Sequence, residues 1–300
     1  MVQRNVLADL NAISTKLTKT QMKAASNKEI TRPSDDPFNA SRAMALRQNV
    51  NATKQYQRNV EDAMGWMDAT EQALDRITVA VRDARDLLVQ GGSDATDQTS
   101  REAIAAELEQ LIESVKQNAS ATYRGSFVFS GGETGVRPYM PGADDTYQGD
   151  EGGLNPATPG IVREIGPGVT MTINSVGLDM LGHGQGANDD KLLDVLRDAV
   201  GHLRAGDGAS IRGTDLERLD ANLDQILEVR AANGARTNRL ETALTRLDEV
   251  HESTVKQLSS VEDADIAETL ISLNSQTAAY QAALRAGASI VQTSLMDFLR

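Results

Sequence analysis

Residues 266–298 read IAETLISLNSQTAAYQAALRAGASIVQTSLMDF, a run without proline in which apolar and small side chains recur in steps of four and three. This spacing is typical of the stripe along which one helix packs against another in a coiled coil. We call this stripe the C-terminal seam. Its members are Ile266, Leu270, Leu273, Thr277, Tyr280, Leu284, Gly287, Val291, Ser294 and Phe298.

The other end of the chain carries a similar stripe, the N-terminal seam. It consists of Val6, Leu10, Ile13, Leu17, Thr20 and Ala24. A stripe this narrow cannot bury itself on a single helix, so a partner helix is expected. Residues 1–30 have a net charge of +3 and residues 262–300 of −3, which favours pairing of the two ends. The predicted assembly residues are Leu10, Ile13 and Leu17 in the first seam, and Leu270, Leu273, Tyr280, Leu284, Val291 and Phe298 in the second.

Composition favours slender helices over a thick globular core. Of the 300 residues, 40% are hydrophobic but only 3% are aromatic, and large globular interiors usually draw more on aromatic side chains. The net charge of −13 argues against nucleic acid as a partner, because binding to a phosphate backbone needs a basic surface. No stretch approaches the roughly 20 apolar residues of a membrane-spanning helix, so we expect no membrane insertion.

The sequence offers no set of side chains for catalysis, for a cofactor or for a metal ion. Because it contains no cysteine, disulfides, thiolate zinc sites and cysteine nucleophiles are all excluded. The three histidines, His183, His202 and His251, have no spacing that resembles a metal site. Residues 1–30 lack the apolar core of a secretory signal peptide, so export of this chain would need another route.

Glycine and proline set the middle of the chain apart. Residues 133–190 hold five of the seven prolines and 12 of the 24 glycines, which is incompatible with continued helix. Within this segment, residues 161–165 and 169–173 are rich in β-branched side chains around Gly166-Pro167-Gly168, so a hairpin is predicted. The segment has a net charge of −7, and we expect a small, acidic, solvent-facing insert.

Helical patterns fill the rest. Asp36 and Pro37 mark the start of a long helix over about 38–90, as its N-cap and its first helical residue. Two capping boxes predict the starts of two further helices. They are Thr99-x-x-Glu102 and Thr214-x-x-Glu217. The predicted fold is mainly α, an elongated antiparallel helical bundle or coiled coil formed by the N- and C-terminal segments, with a small β-rich insert.

These patterns divide the chain into five parts. Residues 1–36 form an N-terminal helix and turn, which is expected to pair with the C-terminal coiled-coil helix of residues 262–300. Residues 37–132 and 191–261 form the two halves of a helical stalk. Residues 133–190 form the insert between them.

Several short runs resemble a known family, the bacterial flagellins and their hook-associated relatives. The run KEITRPSDDP at 28–37, with Arg32, Pro33, Asp35, Asp36 and Pro37, is similar to the turn after the family's first helix. The run ASRAMALR at 40–47 continues the likeness. The runs DADIAE at 263–268 and AALRAGA at 282–288 are similar to the family's C-terminal signature. The likeness thus covers both ends of the chain, although the residues before Leu10 follow the family pattern only loosely.

Two runs in the middle of the chain and one at its end indicate which group of that family it resembles. The runs GSFVFSGG at 125–132, YQGDEG at 147–152 and SLMDFL at 294–299 look like the hook-associated members that join hook and filament. This resemblance implies a structural subunit of a homo-oligomeric ring, with hook-associated protein 1 on the hook side and flagellin on the filament side. It also implies an export chaperone, secretion through the flagellar type III apparatus, and a place in the extracellular flagellum. It implies no catalysis and no cofactor.

Three alternatives differ in the class of protein. A short filament flagellin would share both terminal signatures and would line the whole filament. A coiled-coil protein of a type III secretion needle or its tip would be expected to lack the runs at 35–37 and 127–132. An enzyme would need a cluster of buried polar groups in a pocket, and the sequence supplies no nucleophile or ligand set to place there.

Overall fold

The fold was determined as a computed structural model, which describes residues 2–142, 144–150, 160–184 and 189–298. The helices of eight or more residues are α1 (Val2–Ser26), α2 (Pro37–Gly91), α3 (Gln98–Ala119), α5 (Leu192–Ala205), α7 (Leu216–Glu262) and α8 (Ile266–Phe298). Two short helices, α4 (Leu178–Leu181) and α6 (Gly208–Ser210), and a π-helical turn (Ile211–Asp215) complete the helical part. The strands are β1 (Thr122–Tyr123), β2 (Ser126–Phe127), β3 (Val162–Gly166) and β4 (Val169–Thr172). The prediction of a mainly α fold with a small β-rich insert is confirmed.

The chain folds as two compact units. The terminal unit comprises residues 1–54 and 249–300, and the central unit comprises residues 55–248. In the terminal unit α1 packs along α8, so the N- and C-terminal segments pair with each other. An antiparallel bridge between Lys28 and Asp263 continues this pairing beyond the end of α1.

In the central unit, α2, α3, α5 and α7 share one hydrophobic core with the insert. Leu74, Leu108 and Leu196 on the helices are fully buried. Aromatic and aliphatic side chains of the insert join the same core. They include Tyr139, Tyr147, Ile173, Met180 and Leu181. The expectation of a solvent-facing insert was therefore only partly right, because acidic residues such as Glu133 and Glu164 are exposed while the large apolar side chains of the insert are buried in the core.

The predicted hairpin is present as an antiparallel pair of β3 and β4, in which Val162 pairs with Thr172. Gly168 lies in the turn between the strands with a φ of +67°, a conformation that glycine adopts without strain. A second hairpin, formed by β1 and β2, pairs Thr122 with Phe127. It turns through Arg124 and Gly125, both at positive φ.

Both predicted capping boxes were wrong about where their helices begin. The side chain of Asp97 accepts a hydrogen bond from the backbone N–H of Ser100, and α3 begins at Gln98, so Thr99 lies inside the helix. Asp207 caps α6 in the same way through Ser210. Helical backbone then continues through the π-helical turn into α7, which places Thr214 within a helix. In both cases an aspartate further upstream acts as the cap.

One carboxylate of the insert is buried between two cations of the surrounding helices. Asp145 accepts hydrogen bonds from Lys116 Nζ of α3 at 2.9 Å and from Arg197 Nε of α5 at 2.6 Å. Burial alone would raise the pKa of Asp145, but the hydrogen bonds from Arg197 and Lys116 outweigh it and the pKa is lowered. Lys116 is itself 2% exposed and also donates to the carbonyl of Asp144 at 3.1 Å. This cluster fastens Asp144 and Asp145 of the insert to α3 and α5.

A second buried carboxylate has a weaker partner. Asp215 is fully buried, and its Oδ2 lies 2.8 Å from Nδ1 of His202. Its Oδ1 has no hydrogen-bond partner among the described residues. Burial raises the pKa of Asp215, and the hydrogen bond to His202 only partly offsets this. The folded state therefore binds a proton at Asp215 more tightly than the unfolded state does.

We expect Asp215→Asn to raise the free energy of unfolding at pH 7. A carboxyl group whose pKa is raised stabilises the fold while protonated, and this contribution is lost as the pH rises through the folded-state pKa. The amide removes the buried charge, so a gain on the order of 1 kcal/mol is expected. Urea unfolding followed by the fluorescence of Trp66, the chain's one tryptophan, measures it. A loss of stability would show that the pair with His202 is favourable.

Candidate assembly surface

The turn between α1 and α2 is tied to both helices by its acidic side chains. Asp35 lies 3.1 Å from Lys19 of α1 and accepts a hydrogen bond from the backbone N–H of Arg32 at 3.1 Å. Asp36 caps α2, because its carboxylate accepts from the backbone N–H of Asn39 at 3.0 Å and from its side-chain amide at 2.7 Å. These hydrogen bonds lower the pKa of Asp36. Pro37 is the first residue of α2, as predicted.

Arg32 and Pro33 of the same turn line a shallow groove together with Met44 and Arg47 of α2. Glu262, the last residue of α7, also lines the groove. Its carboxylate binds Arg47, with 2.8 Å between Arg47 Nε and Glu262 Oε2. Glu262 also forms an ion pair with Lys28. The turn, α2 and α7 therefore meet at one buried carboxylate, which the sequence analysis missed because the three segments are far apart along the chain.

The predicted seams lie on the paired helices α1 and α8, with only part of each facing the partner. Leu10, Ile13 and Leu17 of α1 are half-buried, as are Leu273 and Tyr280 of α8. The less exposed residues of α8 recur every three or four residues, singly or in adjacent pairs. They are Thr269, Ser272, Leu273, Gln276, Thr277, Tyr280, Ala283 and Gly287. Because α1 is the helix that packs along α8, this inner stripe faces α1.

Other members of the C-terminal seam lie outside the inner stripe. Leu270 is 48% exposed and Leu284 is 46% exposed. Val291 and Phe298 belong to the helical backbone of α8, but their side chains lie outside the part that the structure describes. The prediction therefore combined residues of two faces, because the outer face of α8 is as apolar as the inner one.

The outer face of α8 leaves large apolar side chains about half exposed or more in the single chain. We define the outer apolar face as Ile266, Leu270, Ile271 and Leu284, of which Ile271 is 71% exposed. Ile266, Leu270 and Leu284 lie on one side of the helix, since they are four and 14 residues apart. Leu7 of α1 and Phe38 of α2 are exposed in the same unit. A concentration of exposed apolar side chains is typical of a protein–protein interface.

The described residues contain neither a metal-binding cluster nor a membrane-spanning helix. Among them, no group of three or more histidine, cysteine, aspartate or glutamate residues is placed to hold a metal ion. His202 pairs with Asp215, as described above, and is not near a second ligand of this kind. Within the same residues, no helix has the length and apolar character needed to cross a lipid bilayer.

Comparison with known families covers both ends of the chain. The model for the bacterial flagellin N-terminal helical region matches residues 1–134, and the model for the bacterial flagellin C-terminal helical region matches residues 216–299. The two matched ranges include all of α1, α2, α3, α7 and α8.

Individual proteins match over most of their length. The flagellar hook-associated protein 3 of Salmonella typhimurium is 23% identical over 291 residues, which covers 92% of this chain and 90% of that protein. A flagellin of Bacillus subtilis is 26% identical over 287 residues and covers 89% of this chain and 86% of its own. The crystal structure of FlgL from Bacillus cereus superposes with a TM-score of 0.59 at 22% identity, covering 72% of this chain and 99% of that one. The fold is therefore shared with the Bacillus cereus protein.

Proposed function

Because the chain belongs to the bacterial flagellin superfamily, we propose that it is a structural subunit of the flagellum and forms the junction between hook and filament. This is the role that the sequence resemblance implied. It is supported by a match of nearly full length to a flagellar hook-associated protein 3. The observation that carries the proposal is the outer apolar face of α8, since a subunit that works alone has no use for such a surface.

In the proposed assembly, copies of the chain form a ring in which the outer apolar face packs against neighbouring helices. Full burial of one leucine or isoleucine side chain contributes about 1.5–3 kcal/mol. Ile266, Leu270 and Leu284 lie on one side and are about half exposed, so each would contribute roughly half of this amount to a contact, before the loss of rotational freedom is subtracted. The charges on α1 and α8 have opposite signs and are partly exposed. They therefore help to align the two helices more than they strengthen the contact between them.

Two further partners follow from this position in the flagellum. Hook-associated protein 1 would bind on the hook side and flagellin on the filament side. Before assembly the chain would be held by an export chaperone and pass through the flagellar type III apparatus, as the sequence resemblance implies. It acts outside the cell, as a part of the flagellum, and its role is structural rather than enzymatic.

A short filament flagellin is the second candidate, and the match to the Bacillus subtilis flagellin favours it. The two roles differ in where the chain is found. Immunogold electron microscopy of detached flagella should show label in one narrow band between hook and filament. An antibody to the filament flagellin of the same strain, which should label everything beyond that band, is the control. Label along the whole filament would assign the chain to the flagellins instead.

A deletion strain gives an independent test of the same proposal. Loss of a junction protein should leave hooks without filaments and release flagellin monomers into the medium, because the filament has nothing to grow on. Loss of a minor flagellin should leave filaments in place with altered length or shape. Electron microscopy of the cells and an immunoblot of the medium separate the two results.

A further inference from the structure

Phe38, the second residue of α2, is the most exposed of the large apolar side chains that the structure describes, at 77%. It follows Asp36, which caps the helix, and Pro37, which begins it. The phenyl ring is therefore carried on the first turn of a capped helix and not on a loop. An aromatic ring exposed to this degree gains free energy when another surface removes it from water.

The groove beside the turn after α1 has the size of such a ring. Its volume is about 130 Å³, and Ala40, Ala43 and Met44 of α2 line it together with Pro33 of the turn. Ala40 and Ala43 are small and buried, whereas Met44 is half exposed. Because cavities of about 150 Å³ can hold a benzene ring, an open groove of this volume has room for a phenyl group.

Two arginines make the groove better suited to an aromatic ring than to an aliphatic side chain. Arg32 and Arg47 both line it. Arg47 binds the carboxylate of Glu262 through Nε and Nη2. These hydrogen bonds lie in the plane of the guanidinium group and leave its two faces free. A guanidinium face is attracted to the face of an aromatic ring, which an aliphatic side chain cannot offer.

Phe38 cannot reach the groove of its own chain. It precedes Ala43 by five residues and Arg47 by nine, so the three side chains are about 140° and about 180° apart around α2. The ring and the groove therefore lie on opposite sides of one helix. Two such surfaces can meet only when they belong to different copies, and the contact that results is head to tail.

We propose that in the assembled flagellum Phe38 of one copy packs into the groove of the next copy, in contact with Arg32 and Arg47. Glu262 and the turn after α1 both contribute to the groove, so it is complete only when the two ends of the chain are paired. The contact therefore belongs to the assembly and not to the free chain. This inference deepens the proposed function and rests on it only in requiring that copies of the chain assemble side by side.

Disulfide cross-linking in detached flagella tests this contact. The chain contains no cysteine, so the double variant Phe38→Cys/Met44→Cys introduces the only two thiols. Within one helix these positions are about 9 Å apart along the axis, which is more than the about 7 Å between Cα atoms that a disulfide can span. Oxidation should therefore link neighbouring copies. A denaturing gel without reductant should show bands of two or more chain masses, and reductant should remove them.

Matched variants complete the test. Phe38→Cys/Asn49→Cys places both thiols on the same side of α2, about 20° apart, at exposed positions, and should give no cross-linked bands. Arg42→Cys/Met44→Cys retains the phenyl ring in case assembly requires it. Arg42 is exposed one turn from Phe38, and positions 42 and 44 do not face each other within one helix, so this pair should also link neighbouring copies.

The proposal is overturned if assembled flagella show no cross-link with either of the pairs that include Met44. It is also overturned if Phe38→Cys alone gives the same bands, because Phe38 would then meet its own counterpart and not the groove. The immunogold label reports on the junction independently. Label along the whole filament would reject the proposed function, while the cross-linked bands would still decide whether this contact exists.

Discussion

Replacing Leu270 and Leu284 together by aspartate should abolish filament growth on the hook while leaving the melting temperature of the purified chain unchanged. Both side chains are about half exposed in the single chain, so their loss removes little packing from the monomer. In the proposed assembly they become fully buried, and each substitution loses roughly half of the ~1.5–3 kcal/mol that complete burial of such a side chain contributes. Each also places an unpaired charge in an apolar contact, which costs further free energy.

Motility, electron microscopy of flagella and an immunoblot for flagellin in the medium measure this effect. Ser275→Asp is the matched control, because it adds a charge at an exposed polar position on the side of α8 away from Leu270 and Leu284. Leu273→Asp is a poorer choice, since Leu273 is half-buried in the inner stripe and its loss would also weaken the pairing of α1 and α8. Secretion of the double variant has to be verified, because a failure of export would give the same motility defect. Normal filaments built with a secreted double variant would show that the outer apolar face is not the assembly surface.

Asp145→Asn should lower the free energy of unfolding of the central unit by about 3–5 kcal/mol, the range found when one partner of a buried ion pair is removed. The substitution leaves Lys116 and Arg197 next to a neutral amide, and Lys116 is almost fully buried. Urea unfolding followed by the fluorescence of Trp66, which is buried in the same unit, gives the value. Asp144→Asn changes the same chemistry at an exposed neighbour and should have little effect.

The effect of Asp145→Asn should depend on pH in a defined direction. The pKa of Asp145 is lowered, so its contribution to stability is fully present above the unfolded-state pKa near about 3.9. It is lost as the pH falls through the folded-state pKa. The difference between parent and variant should therefore be constant near neutral pH and shrink in acid. A difference that grows in acid would mean that the carboxylate is not the group that holds the two cations.

Local signals in the sequence were sufficient for the start of α2 and for the hairpin of β3 and β4. Asp36 and Pro37 act within one turn of helix, and the strand pattern around Pro167 needs only neighbouring residues. The two capping-box predictions also depend on neighbouring residues only, but they were wrong. Several neighbouring side chains can cap the same helix start, and here Asp97 and Asp207 are the N-caps instead of Thr99 and Thr214.

Other features depend on contacts that no local pattern contains. The heptad spacing predicted that α8 packs against another helix, but it assigned Leu270 and Leu284 to the same stripe as Leu273. In the structure, smaller or polar residues such as Thr269 and Ala283 lie in the inner stripe beside Leu273. Hydrophobicity alone did not distinguish the two faces of α8, because the outer face is apolar too. Asp145 meets cations 29 and 52 residues away along the chain, so counting it among solvent-exposed acids was wrong.

The two faces of α8 also bear on the symmetry of the assembly. The inner stripe is used within one chain, and in a ring of more than two copies the outer apolar face of one copy meets a different surface on the next copy, head to tail. Repetition of such a contact closes into a ring when its rotation divides a full turn evenly, and otherwise continues as an open helix. Side chains of the same kind can therefore build either a cap of fixed size or a long fibre. The geometry of the contact, more than its chemistry, would then separate junction proteins from filament proteins in this superfamily.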